Sequence, residues 1–320
     1  MAKQYKALGP ALVLLFCLSQ AFRDVYFGNV FQNVDFFAVI LLAFTASTLL
    51  FTAVPLLRNR AAFAKLRGHG RTILMMNITT ALAWSCYFFA LSRIEPSAVN
   101  TLHSGMAPLT VVVLGLFGIR LAQADSIGWQ EGAGYAAIAL TLIALVWVVL
   151  SGRSGLATGD ARSALLGLVA LMTSGASITV SLLYSKRLHD HGVSAEIVTA
   201  MRYFLLIAVA AGVVWHKGGL IGVATARDAL MLTGLTTILV ILPLYALQVG
   251  IALTSTLTAN VMRSLGPVFV FAIQQADGRL AYSTPTLVCI LAYSAAAIAS
   301  NLARARQASS GTTSTQSQPA

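Results

Sequence analysis

The sequence predicts an all-α polytopic membrane protein of ten transmembrane helices, arranged as two inverted five-helix repeats. Three observations predict it. Of 320 residues, 58% are hydrophobic and only 10% are charged, whereas soluble domains carry ~25% charged residues. Apolar runs of the ~20 residues needed to cross a ~30 Å hydrocarbon core recur along the whole chain. Finally, ALSRIEPSAVNTLHSGMAPLTVVVLGLFGIRLA, starting at Ala90, is echoed by ALTSTLTANVMRSLGPVFVFAIQQADGRLA, starting at Ala252.

Reading apolar windows against breakers places the first-half spans at 8–26, 35–57, 72–92, 97–118 and 128–150. The second half gives 163–185, 195–215, 228–250, 256–275 and 284–303. Residues 1–152 and 153–304 are then the two repeats. The Ser/Thr/Gln-rich tail, 305–320, has no apolar period and reads as disordered. Lys3 and Lys6 precede an apolar run ending in LSQA, the pattern of a cleaved signal. The repeat, however, requires that span in the mature chain.

Orientation follows from Lys and Arg in the connections. With the N-terminus inside, twelve basic residues fall on the inner side, many in RNRAAFAKLRGHGR. Seven fall outside: Arg23, Arg93, Arg153, Arg162, Lys217, Arg227 and Arg279. The bias places both termini in the cytoplasm of a bacterial inner membrane. The net charge of +11 is thereby explained by topology, which excludes a nucleic-acid binder with its basic residues gathered on one face. Cys17, Cys86 and Cys289 all fall inside apolar runs and suggest neither a disulfide framework nor a metal site.

The two echoed stretches match in detail. Each reads Ala-Leu-(Ser/Thr), then Asn, then a mid-span Pro, then Arg-Leu-Ala. Pro108 and Pro267 each precede an arginine by twelve residues. The match lies five spans apart, and an odd number of spans per repeat inverts the second copy. Inverted repeats are the plan of secondary transporters, whose sites lie near the midplane.

With these pieces in hand, the chain resembles the EamA-type carriers of the drug/metabolite transporter superfamily over roughly residues 8–303. The resemblance rests on FFALSRIEPSA and VGIALTSTLTA, on SGMAP and SLGP, and on TAMRYF at 199–204, which looks like the family's Leu-Arg-Phe signature. Two departures are visible. The first half has Leu41-Leu42-Ala43-Phe44 where that arginine would recur, and Ala107 and Gly266 stand where many relatives carry Glu. The resemblance implies ten helices and export or exchange of small metabolites.

Aligning the halves on Asn100 and Asn260 sets His103 opposite Arg263, each three residues after its Asn and so on the same helix face. Anchoring on the prolines instead sets Ser104 opposite Arg263. Arg263 sits about seven residues, roughly 10 Å, into its span, and a charge there costs at least a few kcal/mol. It is either a substrate counter-charge or a tie to a carbonyl freed by Pro267. His103 is either a pH-sensitive wall residue or a satisfied core histidine. Trp84 with Tyr87, and Tyr245 with Gln248, share faces at i, i+3 and complete the expected substrate-binding set. Arg202 and Asn77 read as fold determinants. Pro108 and Pro267 are the expected bend points.

Asp24, Glu131, Glu196 and Asp277 lie near span ends and read as interfacial charges. The centre is therefore expected to be basic without a central acid, which favours an anionic or zwitterionic metabolite, such as an amino acid or organic acid, over a lipophilic cation. No nucleophile–base pair or metal cluster supports an enzyme; His189-Asp190-His191 reads as a solvated loop. No G-x-x-x-x-G-K-[ST] run occurs, which argues against direct ATP driving. No cofactor is expected. The expected partners are the substrate and the bilayer, with a coupling proton or counter-substrate and a homodimer as open options, and no nucleic acid. The other function classes are a multidrug exporter, a pore and a lipid scramblase.

Overall fold

The computed structural model describes residues 2–58, 60–117, 128–156 and 160–315. Among the described residues the chain is helical throughout. Eight segments are long and apolar enough to cross a membrane. They are α1 (Ala2–Val30, from Leu8), α2 (Phe36–Arg58), α3 (Gly70–Leu91), α4 (Pro96–Leu116), α5 (Trp129–Leu150), α6 (Ala161–Asp190), the pair α7 (Ala195–Met201) and α8 (Phe204–His216), and α12 (Thr284–Thr315). Between them lie α9 (Ala226–Leu253), α10 (Thr256–Ser264) and α11 (Gly266–Asp277). A 3-10 helix over Arg60–Leu66 joins α2 to α3.

Local chemistry sets the ends. Pro96 opens α4, where a missing N–H costs nothing. Asp160 caps α6 by accepting the Arg162 N–H at 2.9 Å. Thr225 and Asp228 form a reciprocal capping box on α9. Ser255 caps α10 through the Thr258 N–H, and Gly278, at φ +70°, closes α11 in the left-handed conformation.

Two of the expected spans are broken. The seventh breaks at Arg202-Tyr203, and Asn77 of α3 repairs the break. Its Nδ2 donates to the Met201 carbonyl at 2.7 Å, and its Oδ1 accepts the Leu205 N–H at 3.2 Å, satisfying groups that a broken helix would leave bare. Arg202 donates to Ser181 Oγ at 3.0 Å, tying the same break to α6. The ninth span breaks at Leu265.

The closest helix pairings are α3 on α6, α1 on α9 and α5 on α12. Next, α4 lies against α6 and α11, α1 against α10 and α11, α2 against α7, α8 and α9, and α8 against α3. Glycines permit the tightest approaches. A Cβ added at Gly9 would lie 2.7 Å from the Leu253 carbonyl, so α1 and α9 meet backbone to backbone. The main core joins Phe27, Phe44, Phe88, Leu91, Leu102 and Leu145, with Phe27 and Phe88 packed edge to face at 5.2 Å. Outside, Leu57, Leu140, Ile143, Val169 and Leu230 stand exposed. A belt of this kind is at home in lipid rather than water.

Three expectations need correction. Helix α1 does not stop at 26 but continues to Val30, because VYFGNV carries no breaker strong enough to end it. Arg23 and Asp24 therefore lie within a span, not in an outer connection. The expected acid-free centre fails with them, since Asp24 is completely buried. Third, α12 runs to Thr315, into the tail expected to be disordered. A helix already nucleated extends at one hydrogen bond per residue. Residues 316–320 lie outside the described residues.

Candidate functional site

Helix α1 carries an ion pair into the bundle. The Arg23 guanidinium folds back on its neighbour, with Nε and Nη2 donating to Asp24 Oδ1 at 3.0 and 2.8 Å. The second carboxylate oxygen, Oδ2, accepts from Asn100 Nδ2 of α4 at 2.8 Å. Arg23 is 5% exposed and Asp24 0%. Above the guanidinium stand the rings of Trp84 at 5.4 Å and Tyr87 at 5.8 Å, a cation–π arrangement. The Tyr87 hydroxyl lies within interaction range of both charges. Phe44 closes the wall, 5.0 Å from Trp84 and 4.9 Å from Tyr203 between ring centroids.

One turn beyond Asn100, the His103 ring meets Tyr87 edge-on at 4.7 Å. Its Nδ1 lies 3.3 Å from Ser174 Oγ of α6. The Ser174 hydroxyl already donates its proton to the Ala83 carbonyl at 2.7 Å. It can only accept from His103, so the neutral imidazole carries its proton on Nδ1 and keeps a lone pair on Nε2. Residues from α1, α3, α4 and α6 thus form one buried polar group with aromatic walls.

Arg263 does not join it. Its side chain is exposed, on α10, with Cζ 6.0 Å from the Phe16 ring of α1 and with Cys17 and Tyr293 of α12 in electrostatic range. Among the described residues it has no hydrogen-bonded or ion-paired partner. The alternative role, a tie to a carbonyl freed by Pro267, is therefore not what the guanidinium does here. His103 and Arg263, aligned by sequence, line different walls: the first faces α3 and α6, the second α1 and α12.

The arms do meet at Asn100, for a Cβ added at Gly266 would lie 3.7 Å from Asn100 Oδ1. Asn260 is partly buried and its carbonyl accepts Ser264 Oγ at 2.9 Å. The side chains of Tyr245 and Gln248 lie outside the described residues. Pro108 sits inside an unbroken α4, whereas Pro267 lies in the first turn of α11, just past a real break.

Two grooves lie elsewhere: one of about 460 Å³ between α5 and α12 at Gly134 and Ala299, and one of about 340 Å³ between α1 and α11 at Phe22 and Ile273. Neither includes the ion pair. The polar centre is shut, and a ligand reaching it must displace an existing contact.

The residues missed from sequence are Arg23, Asp24 and Ser174. The signal for the first two was present: an Arg-Asp dipeptide followed by six helix-compatible residues before any turn. Ser174 carried none, because serine is ordinary in such helices.

No family model matches this chain, and no curated protein matches it. A solved structure described only as the crystal structure of a protein superposes with a TM-score of 0.61 at 19% identity, covering 95% of this chain and 99% of that one. At that identity the likeness is one of fold, and it extends over almost the full length of both.

Proposed function

We propose that the chain is a secondary carrier of a small polar, anionic or zwitterionic metabolite, working by alternating access in a bacterial inner membrane. In this reading it has ten spans, with α7–α8 and α10–α11 each counting as one, in two inverted repeats over 1–152 and 153–304. The packing pattern supports the repeat. Exchanging each span with the one five places away turns α3 on α6 into α9 on α1, and α4 on α6 into α10–α11 on α1. The same exchange turns α2 on α9 into α7–α8 on α3 and leaves α5 on α12 paired with itself. The sequence resemblance to EamA-type carriers agrees with this plan. Moving Arg23 from the outer connections into a span sharpens the basic bias that places both termini in the cytoplasm.

One observation carries the functional reading: a buried Arg23–Asp24 pair held by Asn100 within a span, with the unpartnered Arg263 on the adjoining wall. Intramembrane ionisable groups are costly and mark ligand pathways. A zwitterion can replace both halves of such a pair, and Arg263 offers an anion a second foothold with its bidentate fork. No step needs covalent chemistry, so the reading is not enzymatic.

The buried Asp24 also favours a second reading, export of lipophilic cations, which the sequence alone argued against. Counterflow in proteoliposomes decides between them. Exchange of labelled amino acids or organic acids is expected, whereas exchange of cationic dyes alone would establish the second reading. Solute flux without counterflow would indicate a pore.

A further inference from the structure

Away from the ion pair, the 92–95 connection between α3 and α4 holds a second buried carboxylate. Glu95 is 0% exposed and joins parts of the chain that are far apart in sequence. Its Oε2 accepts the Gly155 N–H at 2.6 Å and Gln274 Nε2 of α11 at 3.4 Å. Gln274 in turn accepts the Ser97 N–H at 3.1 Å. Gly155 returns a carbonyl to the Ala281 N–H at 3.0 Å, and Ser283 at the head of α12 donates to the Arg153 carbonyl at 2.7 Å. The fit is close: a Cβ added at Gly155 would lie 2.4 Å from the Ala281 oxygen and 2.6 Å from Glu95 Oε2. Both halves of the chain are laced together here, around one carboxyl.

That carboxyl is only half satisfied. Glu95 Oε1 is buried without a hydrogen-bond partner, and so is the hydroxyl oxygen of Ser97, which lies beside it. Two orphaned buried oxygens are costly together, and one proton placed between them removes both defects. The charged groups on the surrounding elements are turned elsewhere. Arg93 donates to Ser163 Oγ at 2.5 Å and covers Phe89. Arg153 covers Trp147, and Arg279 pairs with Asp277. Among the described residues none forms an ion pair with Glu95.

We propose that Glu95 is a proton-binding latch: its carboxyl holds a proton on Oε1, shared with Ser97 Oγ, while these segments are joined, and releases it to water when they part. The latch requires this end of the bundle to open, and so rests on the alternating-access reading, but it makes no use of the substrate. Burial raises the Glu95 affinity for a proton above that of an ordinary carboxyl, against the opposing pull of its hydrogen-bond donors. The joined state therefore binds the proton more tightly than the parted, hydrated state. It is favoured at low pH and weakens as pH climbs through the raised value.

The test uses the full chain in lipid nanodiscs and needs no solute. Infrared difference spectra across a pH titration should show a protonated-carboxyl band persisting well above the ordinary glutamic acid value of about 4.3 and absent from Glu95→Gln. Opening is read from thiol labelling of Ala98→Cys, a buried position on α4, with the three native cysteines replaced. The labelling rate is taken relative to Ala281→Cys, which is exposed. This ratio should rise about tenfold per pH unit past the infrared midpoint, the slope of one titrating group. It should stay low at every pH in Glu95→Gln, whose amide keeps the acceptor for Gly155 and the donor for Ser97. Should that variant fail to fold, Ser97→Ala serves instead, and by removing the shared acceptor it should lower the midpoint. A band at the ordinary value, a Gln variant as pH-sensitive as the parent, or a midpoint untouched by Ser97→Ala would each overturn the latch. Loss of counterflow alone would bear on the carrier reading and leave this one standing.

Discussion

Helix α4 and the α10–α11 segment carry the same sequence pattern and use it differently. In α4 every polar group of the pattern is occupied: Asn100 by Asp24, His103 by Ser174, Thr101 by the Ser97 carbonyl at 2.6 Å. In α10 the corresponding arginine is exposed and unpartnered, and the helix breaks two residues later. Both contain a proline that strips one rung from the ladder. What differs is the residue before it. Ala107 is a strong helix former and carries α4 through Pro108. Gly266 is about 1 kcal/mol poorer, and with Pro267 beside it the helix stops and restarts. The lesson is that a repeated motif can supply one fixed wall and one adjustable wall from a single local substitution.

The comparison breaks most visibly at Asp24. Asp24→Ala would leave Arg23 buried without its counter-charge, and removing one partner of a buried pair costs about 3–5 kcal/mol. Little folded protein is expected, measured as detergent-solubilised yield and melting temperature. Replacing both partners, Arg23→Gln with Asp24→Asn, should recover most of the folding while abolishing transport. If Asp24→Ala melts like the parent, the pair does not hold the closed wall.

Arg263 is expected to behave in the opposite way. It has no partner to lose, so Arg263→Ala should fold within about 0.5 kcal/mol of the parent yet lose transport. Lysine should restore only part, lacking the planar fork that grips a carboxylate. Melting shifts with added substrate report binding by mass action and should vanish in the alanine variant. A well-folded variant that still transports an anion at normal affinity removes Arg263 from the site.

How far the sequence disclosed this difference can be judged residue by residue. Membrane-length helices follow from apolar run length alone, and all eight that meet that test coincide with expected spans. Local end signals, Pro96 and Thr225 among them, act where they stand. Legibility failed where the outcome depended on neighbours. Arg23 and Asp24 were assigned to a loop because their charges outweighed the apolar residues after them. Only the fold brings Asn100 and Trp84 to satisfy those charges. The opposition of His103 to Arg263 failed similarly, since residues at equal register face different partners once α4 packs on α6 and α10 packs on α1.

A smaller effect is expected at His103, whose role is local to the α4 wall. Because Ser174 must accept from Nδ1, His103→Gln can replace that donor with its amide, and the melting temperature should hold. The pH profile of transport should move, since the imidazole is the group in this wall with an unperturbed value near 6.5. A profile identical to that of the parent would make His103 a packing residue only.

The smallest change tests the cause of the difference itself. Gly266→Ala adds one methyl group at the α10–α11 break, where its nearest neighbour, Asn100 Oδ1, would stand 3.7 Å away in ordinary contact. Nothing needs to shift to admit it, in contrast to Gly9→Ala, where a methyl group would strike the Leu253 backbone at 2.7 Å. Alanine should raise helix propensity by up to about 1 kcal/mol and give the second arm the Ala-Pro pair that α4 already has. The expected result is an equal or slightly higher melting temperature with transport slowed several-fold, because the wall that should move has been made to resemble the wall that does not. Transport at the parental rate in a more stable variant would show that the break at Leu265 is a passive consequence of Pro267 and not the adjustable element.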